Sequence, residues 1–232
     1  MSSKLRLSLL LAATLAAGIA TAHAEIPTTA PTAGTATDTA TDTATDATTG
    51  PAIDGFRGAK FGMTESQVRA AIESEFKKPA SAITTSENQL QHTAVLSVEV
   101  PDLVPDGGTA AVSYVFGYQS HKLMEVNILW SPELDPKTTP TMLYQDGETL
   151  QQYFAGEGFP ADRSTGNIAT PNGVLLFRAT DSTGNAVLLI LSGTISKDTK
   201  DNKSILAPTN LTLAYAADPQ HPDVYQLAKG SF

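Results

Sequence analysis

GFRGAKFGMTESQVRAAIESEF, residues Gly55 to Phe76, reads as a short extended segment running into a capped amphipathic helix. Thr64 stands at the N-cap position and Gln67 follows three residues later, the spacing of a capping box. Met63 just before the cap and Val68 in the first turn form a hydrophobic staple that sets how the chain enters the helix. Val68, Ala71, Ile72 and Phe76 recur at helical spacing and make one apolar face. Glu65–Arg69 and Glu73–Lys77 are spaced to pair along the outer face, each worth roughly 0.2–0.5 kcal/mol. Pro79 stops the helix after Lys78. Gly50 to Gly62 contains several glycines but no Gly-Lys-Ser/Thr and no βαβ context, so it is not a phosphate loop. Gly55 and Gly58 are there to let the backbone bend.

Strand patterns follow the helix. Thr93 to Val100 places Ala94, Leu96, Val98 and Val100 on one face. Thr109 to Tyr118 aligns Val112, Tyr114 and Phe116, and Lys122 to Trp130 aligns Met124, Val126, Ile128 and Trp130, with Gln119-Ser120-His121 as the hairpin loop. The second half repeats this order. Thr139-Pro140 opens a helix marked by Leu143, Leu150 and Phe154, which Gly156 or Gly158 ends. Val174 to Thr180 and Ala186 to Leu191 form a hairpin about Asp181–Gly184; Ile195 to Pro208 reads as a charged excursion, and Asn210 to Ala216 as the last strand.

The expected fold class is therefore α+β: two tandem helix-then-three-strand units, over residues 53–131 and 138–217, sharing an antiparallel sheet with both helices packed on one face. Residues 53–232 are expected to make one domain of about 180 residues, of which 218–232 are a tail lying on the surface.

Residues 1–24 have the form of a secretory signal: Lys4 and Arg6, an apolar run from Leu7 to Ala20, and the small-x-small site Ala22-His23-Ala24. Residues 25–52 are almost wholly Thr, Ala, Pro, Gly and Asp, with a Thr-Asp-Thr-Ala repeat, and too poor in apolar side chains to offset the entropy of ordering them. They are expected to be a disordered, solvated spacer. A periplasmic or secreted location follows. No later segment is apolar for the roughly 20 residues of a membrane span, so no integral membrane segment is expected after cleavage.

The chain carries 15 Lys/Arg against 24 Asp/Glu, a net charge of −9, which becomes −11 when Lys4 and Arg6 leave with the signal. Such an acidic surface offers nothing to nucleic acid or to anionic membranes. There are no cysteines, which removes disulfides, thiolate catalysis, cysteine-type zinc sites, iron–sulfur clusters and a lipid anchor at the cleavage point.

Phe61-Gly62-Met63-Thr64-Glu65-Ser66-Gln67-Val68 resembles the "GMT-x-x-x-V" helix start of SmpA/OmlA (BamE-like) periplasmic proteins, and the hairpin from Tyr114 to Trp130 is similar to the strand pair that follows in them. The tandem helix-then-sheet order also looks like the β-lactamase-inhibitor-protein arrangement. The resemblance implies a protein-binding or assembly module of the cell envelope, not an enzyme. It carries over no functional residue.

The chemistry-bearing residues point the same way. His92, His121 and His221 are widely separated and form no spaced ligand pair, so no metal or cofactor is expected. No Gly-x-Ser-x-Gly nucleophile is present. Asp146/Glu148 and Glu133/Asp135 have the form of acid–base pairs, but acidic residues are expected there for capping and solubility. Two alternatives stay open: a hydrolase whose site assembles from distant residues, such as His121 with Asp146, and a carrier of a small ligand. For a binding surface the residues singled out are Tyr114, Tyr118 and Trp130, aromatic side chains of the kind that dominate interfaces, together with His121.

Overall fold

A computed structural model of the chain describes residues 50–197, 204–227 and 230. The expected signal (1–24) and, apart from Gly50–Ala52, the expected linker lie outside the described residues. A minimal hairpin, β1 (Gly55–Phe56) and β2 (Ala59–Lys60), opens the fold. Gly55 has φ of 139°, and a Cβ there would collide with the Ala59 carbonyl, so this turn requires glycine.

Helix α1 (Glu65–Phe76) follows, and its start is as the residues specify. The Gln67 N–H donates to Thr64 Oγ1 (3.4 Å) and the Thr64 N–H to Gln67 Oε1 (2.9 Å), closing the capping box. Val68 and Ile72 are buried. Glu65 accepts from Arg69 at 2.8 Å, and the same guanidinium reaches Thr85 Oγ1 at 2.6 Å. The Glu73–Lys77 pair does not form, because Lys77 is the C-cap, turned into the left-handed region at φ 53°.

The remaining elements are β3 (Thr84–Asn88), β4 (Thr93–Pro101), β5 (Thr109–Phe116), β6 (Leu123–Trp130), α2 (Pro140–Gly156), β7 (Ser164–Thr165), β8 (Ile168–Thr170), β9 (Gly173–Thr180), β10 (Ala186–Lys197) and β11 (Ser204–Ala216). Among the described residues β3 to β11 form one antiparallel nine-stranded sheet in the order β3-β4-β5-β6-β11-β10-β9-β7, with β8 also paired to β9.

This overturns the expected architecture of two tandem helix-then-three-strand units with helices packed on one face. Among the described residues strand predominates over helix, and the two halves are not separate units. The last strand, β11, returns to the middle of the sheet and pairs with β6 from Leu211↔Trp130 to Ala216↔Glu125, so the first and second halves share one continuous ladder. Of the expected excursion from Ile195 to Pro208, residues 198–203 lie outside the described residues, and the rest is not an excursion but strand: β10 and β11 stay paired to Lys197↔Ser204, across a bulge at Ser192/Gly193. That arm projects beyond the core, so its side chains are largely exposed and its apolar alternation fades while its backbone pairing continues. β3 escaped notice for the same reason, being a polar TTSEN strand at the sheet edge.

The core lies on one sheet face. Leu96, Tyr114, Val126, Tyr215 and Val187 run side by side across five strands, and Val98, Val112, Ile128, Leu213 and Leu189 form the next row. α1 packs against β2 and β4, and α2 against β9, β10 and β11. Thr139 caps α2 by accepting the Met142 N–H at 3.2 Å, ahead of Pro140 in the first turn. Gly147 weakens α2 intrinsically by about 1 kcal/mol, but its missing side chain is what allows close approach. A Cβ there would stand 2.7 Å from Leu176 Cδ1 and 3.5 Å from Leu211 Cδ1. No helix among the described residues is long and apolar enough to cross a membrane.

Candidate binding surface

The four residues singled out from the sequence divide into two pairs. Tyr114 and Trp130 are core residues, each 1% exposed. Burial pushes the Tyr114 hydroxyl far above its ordinary pKa, and the Trp130 indole nitrogen is buried without a hydrogen-bond partner. Neither can meet a partner protein. Alternation placed them on an apolar face, and that face carries the buried core. Tyr118 and His121, by contrast, lie in the β5–β6 loop at the surface.

That loop is held by its own hydrogen bonds and by the C-terminal segment. Within it, the Gly117 N–H donates to the Lys122 carbonyl (2.9 Å) and the His121 N–H to the Gly117 carbonyl (3.0 Å), with His121 at φ 52°. The C-terminal segment then straps across: Asp223 Oδ1 accepts from the Gln119 N–H (3.0 Å), its Oδ2 from the Ser120 N–H (2.8 Å), and its carbonyl from the Tyr118 N–H (2.7 Å). Hydrogen bonding from Ser120, then from the Gln119 and Ser120 amides, with His121 nearby, holds the Asp223 carboxyl below its usual range. Two residues on, the Tyr225 N–H donates to the Gln91 carbonyl (2.9 Å), tying the same segment to the β3–β4 loop. In that loop Asn88 Oδ1 accepts from the Leu90 and Gln91 amides (3.1 and 3.2 Å).

The result is an aromatic cluster assembled from three distant parts of the chain. The ring of Tyr225 meets His92 edge-on at a centroid distance of 4.7 Å and Tyr118 edge-on at 5.5 Å; His92 and Tyr118 are 6.0 Å apart. Edge-to-face pairs of this kind add about 0.5–1.5 kcal/mol each beyond burial. Yet Tyr118 remains 36% and Tyr225 39% exposed, and the flanking Leu90 and Leu227 are 67% and 61% exposed. His92 Nδ1 stands 3.6 Å from Glu87 Oε1. A ring-rich, half-exposed surface presents large contact area to a partner.

Sequence reasoning missed His92 and Tyr225. The available signal was an aromatic residue in a polar, proline-bearing terminal segment, where no core was being built.

His121 and Asp146 are not brought together. Asp146 lies beneath the β4–β5 loop, where a Cβ on Gly107 would be 2.9 Å from its Oδ2, and His121 is in the β5–β6 loop at the other end of β5. Eight strand residues separate those ends, about 25 Å at the usual rise. Asp146 has a second distinction: it is 5% exposed, its Oδ2 has no partner, and burial raises its pKa to about 6. Asp135 is a turn-maker, accepting from the Lys137 N–H (3.0 Å) and the Thr109 N–H (3.1 Å), bonds that lower its pKa. His221 is exposed and pairs with Asp218 at 3.1 Å. Among the described residues no group of three or more His, Asp or Glu is placed to share a metal ion.

No protein family, curated protein or solved structure compared with the chain matches it.

Proposed function

We propose that this is an exported, non-catalytic protein-binding or assembly module of the bacterial cell envelope, engaging a protein partner through the aromatic surface centred on Tyr118. The observation that carries this reading is the convergence of Tyr118, His92 and Tyr225 from three separate segments into one half-exposed cluster flanked by Leu90 and Leu227. Tyrosine-rich clusters are where truncation most often costs binding. The signal-like residues 1–24 and the resemblance at Phe61–Val68 to SmpA/OmlA proteins support the cellular setting.

Crosslinking capture from an envelope fraction tests it, using the wild-type chain beside Tyr118→Ala and Tyr225→Ala. Both rings are at the surface, so the variants stay folded by circular dichroism. A stoichiometric envelope protein captured by wild type and lost in both variants is the expected result. Capture unaffected by either substitution, or no specific partner after crosslinking, overturns the reading.

A further inference from the structure

A second aromatic feature lies elsewhere and has a different chemistry. The last turn of α2 carries Tyr153 and Phe154, and Glu157 follows as its C-cap. This end of the helix faces the segment from Pro51 to Gly55, leaving a recess of about 130 Å³. Its lining includes Tyr153, Phe154, Phe159 and Tyr215, together with the carboxylates Asp54 and Glu157. The walls are braced from behind: Phe154 stacks on Phe177 at 5.5 Å, meets Tyr215 at 6.3 Å, and Phe159 meets Phe177 at 5.9 Å.

The charged side chains lining the recess are carboxylates. No Lys, Arg or His is among its described lining residues. The last turn of α2 has no basic side chain, so the negative end of the helix dipole is not offset within the helix. Tyr153 and Glu157 are four residues apart and share a helix face, and the Glu157 carboxylate adds to burial in raising the Tyr153 pKa. The Tyr215 hydroxyl is pushed well above its ordinary pKa, first by burial and then by Tyr153 and Glu157 beside it, with the Arg57 charge acting against them. Lys60 is bound to Asp54 (2.8 Å) and Arg57 to Glu75 (3.1 Å).

We propose that this recess is a binding site for the ammonium head of a small organic cation, with the Tyr153, Phe154, Phe159 and Tyr215 rings as walls and Glu157 as the countercharge. Aromatic rings attract a cation through their quadrupole, and a quaternary ammonium, unable to donate hydrogen bonds, gains most from such walls. The volume is that of one such head group, well below the roughly 300–1,000 Å³ of a pocket for a drug-sized ligand. The site is separate from the Tyr118 surface and does not depend on its role.

Choline is the probe, and 3,3-dimethylbutan-1-ol, its uncharged carbon isostere, is the control. Both are titrated at constant ionic strength by calorimetry and by protein-observed NMR. Saturable choline binding is expected, with resonance shifts centred on Tyr153, Glu157 and Phe159 and the isostere weaker by about tenfold. Glu157→Gln and Tyr153→Leu, both at exposed positions, are expected to weaken choline binding severalfold without loss of fold, while Tyr118→Ala leaves it unchanged. Absence of saturable binding, equal binding of the alcohol, shifts centred elsewhere, or unaltered affinity in both recess variants overturns the proposal.

Discussion

Replacing Asp146 by Asn should make this protein more stable at neutral pH, against the usual direction for a buried substitution. Asp146 sits within α2, beneath the β4–β5 loop, 5% exposed, with Oδ2 lacking any partner, and burial alone accounts for the rise of its pKa from 3.8 to about 6. The native state therefore prefers the protonated carboxyl, while the unfolded chain ionises near the ordinary value. Below about pH 3.8 both states are protonated and the residue costs nothing through ionisation. Between there and about 6 the unfolded state releases its proton first, so stability falls as pH rises; above 6 the whole penalty is present. A displacement from 3.8 to about 6 corresponds to at most about 3 kcal/mol. Discounted for solvent screening, about 1–2 kcal/mol is the realistic size. Asn keeps the shape and removes the charge. At pH 7.5 the variant should gain that amount, a rise in Tm of roughly 3–6 °C for a domain of this length, and the gain should vanish near pH 4. Urea unfolding of both proteins at pH 4, 5.5 and 7.5 measures it. A variant less stable at pH 7.5, or one whose difference from wild type does not change with pH, refutes the reasoning.

Two further substitutions probe the scaffold. Thr64→Ala removes the side-chain half of the capping box and should cost about 0.5–2 kcal/mol, read as a lower urea midpoint, while capture through the Tyr118 surface persists; an unchanged midpoint would show that the cap contributes nothing. Gly193 sits at the β10–β11 bulge, where a Cβ would collide with the Ala207 carbonyl and lie 2.7 Å from Pro208 Cα. Gly193→Ala should therefore cost about 1–3 kcal/mol, whereas Ser196→Ala, farther along the exposed arm, should change the midpoint by no more than about 0.5 kcal/mol.

Local structure was largely legible, and architecture was not. The capping box at Thr64 and Gln67, the Thr139-Pro140 start of α2, and the cores of β4, β5, β6 and β9 each rest on residues close together in the chain. Strand order does not. That β11 lies beside β6 follows from which apolar rows fit together across the sheet, and nothing within Asn210 to Ala216 states it. The same gap explains the binding residues: Tyr114 and Trp130 have the composition of interface residues, and only their place in the sheet decides that they are core.

By itself, then, the sequence determined the helices, most of the strands, and an acidic, cysteine-free composition, because each depends on local periodicity, capping or simple counts. Even Gly55–Phe76 specified its own helix but not the sheet that receives it. Tertiary structure alone decided the shared nine-stranded sheet, the aromatic cluster of His92, Tyr118 and Tyr225, the Tyr153–Tyr215 recess and the orphaned carboxylate of Asp146. Each is a meeting of side chains many residues apart, and the closure entropy of those loops is offset only when the whole sheet forms. Asp181, which accepts the Ile53 N–H at 2.9 Å across 128 residues of chain, is a clear instance: a turn aspartate by sequence, and the clasp on the start of the fold in three dimensions.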